Sequence, residues 1–178
     1  MLLEKELQQT VRTIPDFPQK GVLFRDISPI FLKPKLVERC VEELSRHFRV
    51  RDVTKVVGIE SRGFLMGPMI ALELGAGFAI VRKKGKLPEV AASVSYELEY
   101  GSATVEIPKD ALQPGDRVLI HDDLLATGGT AAAAAKLVEQ IGATLVGFSF
   151  LIVLENLGGR QALEPFGVPI VHILSYPN

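Results

Sequence analysis

One stretch constrains this chain more than any other: Val118-Leu119-Ile120-His121-Asp122-Asp123-Leu124-Leu125-Ala126-Thr127-Gly128-Gly129-Thr130, followed by five successive alanines. An apolar strand runs into two carboxylates, then a glycine-threonine loop, then a segment of strong helix propensity. A helix N-terminus offers unpaired N–H groups and a positive dipole end, both of which favour a phosphate. Gly128 and Gly129 let the backbone come close to it. Thr127 and Thr130 add hydroxyl donors, and either could cap the helix. The acids need another partner, because two carboxylates beside a phosphate would repel it. They make sense facing sugar hydroxyls or a cation, and a ribose 5-phosphate meets both demands. The loop lacks the Gly-Lys-Ser/Thr of a Walker A motif and the spacing of a dinucleotide fingerprint.

The rest of the chain supplies a matching frame. Apolar spacing predicts helices over residues 2–13 and 35–48, with Leu36, Val37, Cys40, Val41, Leu44 and Phe48 on one face of the second. Short β-branched runs predict strands at 55–59, 78–81, 117–120, 143–154 and 168–173. A helix over 63–74 is expected to be interrupted near Pro68, and another is expected over 130–140. Residues 93–99 and 103–107 flank a Tyr-Gly-Ser turn and read as a hairpin or two strands joined by a mobile loop. Alternating strands and helices predict a parallel, doubly wound α/β sheet. The 178 residues suit one domain.

Composition excludes several classes. The net charge of -1 gives no basic excess for general nucleic-acid binding. A single cysteine, Cys40, rules out an internal disulfide and argues against a cysteine metal site. The three histidines, His47, His121 and His172, show no metal spacing. The first ten residues become polar too soon for a signal peptide, and the run from Ala143 to Leu154 is too short to span a bilayer. A cytoplasmic protein without membrane or nucleic-acid partners is the expectation.

Three further clusters admit two readings on spacing alone. Glu60-Ser61-Arg62-Gly63 follows a buried strand, where open α/β sheets bind ligands. It suits pyrophosphate or an ordinary helix entry equally well. Arg82-Lys83-Lys84-Gly85-Lys86 reads first as a solvated loop, and Glu97-Leu98-Glu99-Tyr100-Gly101-Ser102 as a hairpin with exposed acids.

The sequence resembles the type I phosphoribosyltransferases, whose signature is an apolar strand, two acids, an apolar pair and a Thr-Gly-rich phosphate loop. The likeness covers nearly the whole chain. It is carried by residues 16–29 (DFPQKGVLFRDISP), 58–68, 81–88, 96–107 (YELEYGSATVEI) and 121–130. The first and fourth stretches resemble the members that use adenine rather than hypoxanthine, orotate or uracil.

The resemblance implies a mostly parallel sheet flanked by helices, a small N-terminal hood over about residues 1–34 and a mobile lid. It implies a Mg²⁺-dependent purine-salvage reaction: adenine and phosphoribosyl pyrophosphate (PRPP) give AMP and pyrophosphate. Ala126, Thr127, Gly128, Gly129 and Thr130 would bind the 5-phosphate, and Asp122 and Asp123 the ribose hydroxyls. Glu60, Ser61, Arg62, Arg82, Lys83 and Lys86 would bind pyrophosphate, with Arg62 also catalytic. Leu23, Phe24 and Arg25 would form the adenine pocket. Glu99 would transfer the purine proton, with Tyr100 in the lid. The metal would be held mainly by substrate, near Asp122 and Asp123. A homodimer is implied too. Two positions depart from the family pattern: His121, where an apolar residue is commoner, and Val153, where relatives commonly carry Glu. The rival readings are a transferase for another base and a non-catalytic nucleotide sensor.

Overall fold

The computed structural model describes residues 2–97 and 101–177. The chain opens with α1 (Leu3–Thr10) and an antiparallel hairpin of β1 (Arg12–Pro15) and β2 (Leu23–Asp26). The single helix expected over 2–13 therefore stops early. At Val11 the backbone turns extended, with φ -65 and ψ 125. Pairing from Arg12↔Asp26 to Pro15↔Leu23 then satisfies backbone groups that a helix would otherwise hold.

Next come α2 (Pro34–Arg46), β3 (Lys55–Ile59), α3 (Gly63–Leu74) and β4 (Gly77–Lys83). In α2 the buried Leu36, Cys40, Val41 and Leu44 form one apolar stripe. α3 runs unbroken through Pro68, where an interruption is expected. One missing N–H forfeits a single hydrogen bond, and burial of Met66, Gly67, Ile70 and Ala71 outweighs it. Gly67 is needed there, because a Cβ would lie 2.6 Å from the Phe78 ring on β4.

β5 (Val90–Glu97), β6 (Ser102–Pro108), β7 (Arg117–Leu125), α4 (Gly129–Gln140), β8 (Thr144–Leu154), α5 (Gly159–Leu163) and β9 (Ile170–Tyr176) complete the chain. Seven strands form one sheet in the order β5-β6-β4-β3-β7-β8-β9. The five from β4 to β9 are parallel, as expected. β5 and β6 form an antiparallel edge joined to β4. Val118, Ile120, Phe148 and Phe150 pack toward α4 on one face. Val56, Leu119 and Leu151 pack toward α1, α2 and α3 on the other.

β7 is longer than the sequence suggests. It continues past Ile120 through both acids, because β8 keeps pairing with it through Leu124↔Ile152 and Leu125↔Val153. The acids are strand residues, and the pleat sends neighbouring side chains to opposite faces.

Candidate active site

β3 and β7 lie side by side, Gly58 opposite His121, so the loops that follow them meet at the carboxyl edge of the sheet. This is where an open α/β sheet leaves room for a ligand. The loop after β3 is pressed onto β7 just below the acids. A Cβ on Gly63 would sit 2.7 Å from the His121 carbonyl oxygen, so only glycine fits.

The acid pair stands at the centre. The Asp123 N–H donates to Asp122 Oδ1 at 2.9 Å. Asp123 Oδ2 lies 3.0 Å from Arg62 Nε. This is an ion pair without hydrogen-bond alignment, since that buried oxygen has no hydrogen-bond partner. Burial drives the Asp122 pKa well above the usual carboxylate value, and the neighbouring Asp123 charge adds to the rise. Burial also raises Asp123, with Arg62 opposing. The two carboxyls are held together with too little positive charge around them.

After β7 the loop turns into α4 at Gly128, which has φ 82. A Cβ there would lie 2.8 Å from the Gly159 carbonyl oxygen and 2.9 Å from Ala162 Cβ. The expectation that Thr127 or Thr130 caps α4 is corrected, as neither side chain does so. Gly128 takes the cap position, and its carbonyl accepts the Ala132 N–H at 2.9 Å. Thr130 instead shares a 2.8 Å hydrogen bond with the Tyr96 hydroxyl. The loop from Leu124 to Ala131, with Asp122 and Phe150, lines a hollow of about 90 Å³. Ala126, Thr127, Gly128, Gly129 and Thr130 are all on its wall.

A larger cleft of about 430 Å³ adjoins it, lined by Phe24, Glu60, Ser61, Arg62, Lys83, Lys86, Asp122, Asp123 and Leu124. Glu60 gathers its cations. Its carboxylate pairs with Lys86, accepts the backbone N–H of Lys83 at 3.0 Å and meets Arg82 Nε at 3.3 Å. Burial resists ionisation of Glu60, but these bonds, led by Lys86, bring its pKa down to about 2. A third hollow of about 380 Å³ has Arg82, Lys83, Tyr96, Asp122 and Thr130 on its wall. Asp122 belongs to all three hollows.

The hairpin closes one side of the cleft. The Phe24 ring lies 5.0 Å from the Arg62 guanidinium and 5.1 Å from the Phe17 ring. Of Leu23, Phe24 and Arg25, only Phe24 lines the cleft. Leu23 is 44% exposed. Arg25 turns to the opposite side, bonding Thr13 Oγ1 at 2.5 Å and stacking 4.0 Å from the Tyr176 ring. Its carbonyl faces Arg62, accepting Nη1 at 3.3 Å. Glu99 and Tyr100 lie outside the described residues.

His121 is fully buried and its Nδ1 lies 2.8 Å from Ser149 Oγ. Burial lowers its pKa to about 4, so the ring is neutral at neutral pH. Val153 is buried in the core with Phe148 and Leu163. Sequence reasoning missed Phe17, Leu124 and Tyr96. Tyr96 had one signal, its place on an alternating strand, but its partner is 34 positions away. Among the described residues no group of three or more metal-ligating side chains converges. None of their helices is long and apolar enough to cross a membrane.

Known proteins resemble this chain over nearly its whole length. Residues 31–164 match the phosphoribosyl transferase domain model. An adenine phosphoribosyltransferase of Jannaschia sp. is 49% identical over 99% of this chain and 98% of its own. The crystal structure of adenine phosphoribosyltransferase from Rhodothermus marinus superposes with a TM-score of 0.93 at 51% identity, covering 98% of each chain. The Saccharomyces cerevisiae enzyme, complexed with an imino-altritol bisphosphate and adenine, superposes at 0.90 with 43% identity, covering 97% of this chain and 98% of that one.

Proposed function

Because this chain belongs to the phosphoribosyl transferase family, among the adenine phosphoribosyltransferases, we propose that it makes AMP and pyrophosphate from adenine and PRPP. The observation that carries this reading is the meeting of three chemically different hollows at Asp122. PRPP has three matching parts: a 5-phosphate, a ribose diol and a pyrophosphate. The glycine loop suits the first, the acid pair the second, and Arg62 with Lys83 and Lys86 the third.

In the reaction the bond from the anomeric carbon to pyrophosphate breaks and a bond to adenine N9 forms, with loss of the N9 proton. The sugar passes through oxocarbenium character. Arg62, Arg82, Lys83 and Lys86 offset charge on the departing pyrophosphate. Asp122 and Asp123 hold the ribose hydroxyls, and their charge lies near the growing positive carbon. The loop from Ala126 to Thr130 anchors the 5-phosphate, so binding far from the reacting bond aligns the sugar. Phe24 covers the flat base, with the Leu23 and Arg25 backbone at its edge. Glu60 organises the basic side chains, and Ser61 offers its backbone and hydroxyl to pyrophosphate. By family resemblance Glu99 takes the purine proton, and Tyr100 belongs to the lid that excludes water.

Mg²⁺ fits this donor set. Two under-compensated carboxylates, with no third ligand converging on them among the described residues, suit a hard cation that keeps substrate oxygens and water in its shell. Bound with PRPP, it would offset pyrophosphate charge near Asp122 and Asp123. We further read residues 1–178 as one cytoplasmic domain with its hood over about residues 1–34, acting as a homodimer. The test is an assay of AMP formation with and without Mg²⁺, with hypoxanthine and guanine run beside adenine. Product from adenine alone supports the reading. Product from another base overturns the base pocket, and no product with nucleotide binding intact favours a sensor.

A further inference from the structure

The antiparallel edge of the sheet reaches the phosphate loop through one residue. Tyr96 lies on β5, opposite Ala103 of β6. A Cβ on Gly129 would lie 3.1 Å from its ring, so the ring roofs the loop backbone. Its hydroxyl is 2.8 Å from Thr130 Oγ1. The neighbouring Ser95 points elsewhere and bonds Thr104 at 2.8 Å. Tyr96 and Thr130 then share a wall of the hollow that also contains Asp122 and Lys83.

We propose that Tyr96 is a positioning residue for the 5-phosphate: its phenol donates to Thr130 Oγ1 and so aims the Thr130 proton at the phosphate. The inference rests on the reading of residues 126–130 as the 5-phosphate site. A threonine hydroxyl has one proton and two lone pairs. If it donated to Tyr96, it would turn lone pairs toward an anion that needs donors. A phenol is the more acidic hydroxyl, so the favoured order is phenol to threonine to phosphate. Each bond in such a chain polarises the next. The roofing ring fixes the phenol, and Thr130 is held in one rotamer before the ligand arrives.

The test compares AMP with adenosine, which differ only in the 5′-phosphate. Binding of each to the full chain is measured by calorimetry for the wild type, Tyr96→Phe, Thr130→Val and the double variant. Tyr96→Phe keeps the ring and removes the hydroxyl. Its AMP affinity should fall about five-fold, the size of one net hydrogen bond, while adenosine affinity stays unchanged. Thr130→Val should weaken AMP at least as much, and the double variant should be no weaker than Thr130→Val. In turnover, KM for PRPP should rise more than kcat falls. An unchanged AMP affinity in Tyr96→Phe, with Thr130→Val impaired, overturns the Tyr96 role and leaves the phosphate loop standing. No effect from either variant overturns the phosphate reading of the loop as well. Equal losses for AMP and adenosine, or additive losses in the double variant, also overturn the inference, because Tyr96 would then act on general packing or independently of Thr130.

Discussion

Glu60 and the Asp122–Asp123 pair face the same cleft, yet the fold treats them in opposite ways. Glu60 has its partners supplied by Lys86, Lys83 and Arg82, and its pKa falls to about 2. Among the described residues only Asp123 of the two aspartates has an ion pair, to Arg62, and burial lifts both pKa values. One carboxylate is complete within the protein and holds the cations in place. The other two are left short of partners among the described residues, Asp123 Oδ2 having no hydrogen-bond partner there. A group left short of partners in a buried site is a signature of ligand chemistry.

That contrast predicts opposite signs for stability and activity. In the double variant Asp122→Asn, Asp123→Asn, the Asp122 side-chain oxygen can still accept the Asp123 N–H. Removing two poorly compensated charges should raise the thermal midpoint of the free protein near neutral pH. If the acids hold the ribose as proposed, loss of that clamp and of the compensating charge should lower kcat/KM for PRPP by about a thousand-fold. Calorimetric melting and steady-state assays check the two halves. Wild-type activity in this variant would break the comparison at its root.

His121 separates burial from ligand binding on the same strand. It is more buried than either acid, but it has a partner in Ser149 and does not line the cleft. Burial lowers its folded pKa to about 4 from 6.5. The unfolded chain therefore takes up a proton first as pH falls, so stability is full above the unfolded pKa and is lost on acidification toward the folded one. Between about pH 7 and pH 5 the expected loss is about 2 kcal/mol. His121→Asn should flatten most of that slope in denaturant melts. A smaller slope remains from His172, whose pKa is also lowered, mainly by burial and then by Arg160. The aspartates have the reverse sign. Their raised folded pKa values add stability at acid pH that is lost as pH rises through them.

What was legible in the sequence follows from how local each feature is. The acid pair, Gly128 and the start of α4 sit within eight residues, and strand, loop and helix chemistry all point the same way there. β3 and α3 were legible for the same reason. The extent of β7 was not, because β8 sets it through Leu125↔Val153. Nor was the turn of Arg25 away from the cleft, which depends on Tyr176 at the far end of the chain. β1 was hidden inside a helical pattern, since only its pairing with β2 makes it a strand. Glycine at 128 was legible as a loop residue. Its contact with Gly159 and Ala162 was not.

Gly128 is completed by shape rather than charge. It combines φ 82 with backbone and side-chain neighbours closer than a Cβ tolerates. Gly128→Ala should cost about 2 kcal/mol of stability, from strain and from displacement of Gly159. AMP affinity should fall with it, because the loop must shift. Denaturant melts and AMP titration test this. A variant that keeps full AMP affinity would show that the loop tolerates displacement and that Gly128 serves the fold alone.

Glu60→Gln is the smallest effect and the sharpest control on the contrast. Glutamine keeps the size and one acceptor oxygen but drops the charge that draws in Lys86 and Arg82. Those cations are 47% and 32% exposed, so solvent screens much of the attraction. The expected loss is about 1 kcal/mol. It should be present above the ordinary glutamate pKa and vanish as pH falls through about 2. The binding consequence has the same sign as for the aspartates but is far smaller, while the stability consequence is opposite. Lys86 and Arg82 released from Glu60 still carry charge toward pyrophosphate but are no longer positioned, so pyrophosphate affinity should fall only a few-fold and depend more on salt. Calorimetry with pyrophosphate at two ionic strengths reads this. A loss as large as that of the aspartate variant would mean that Glu60 too waits for a ligand, and the division between completed and open carboxylates would fail.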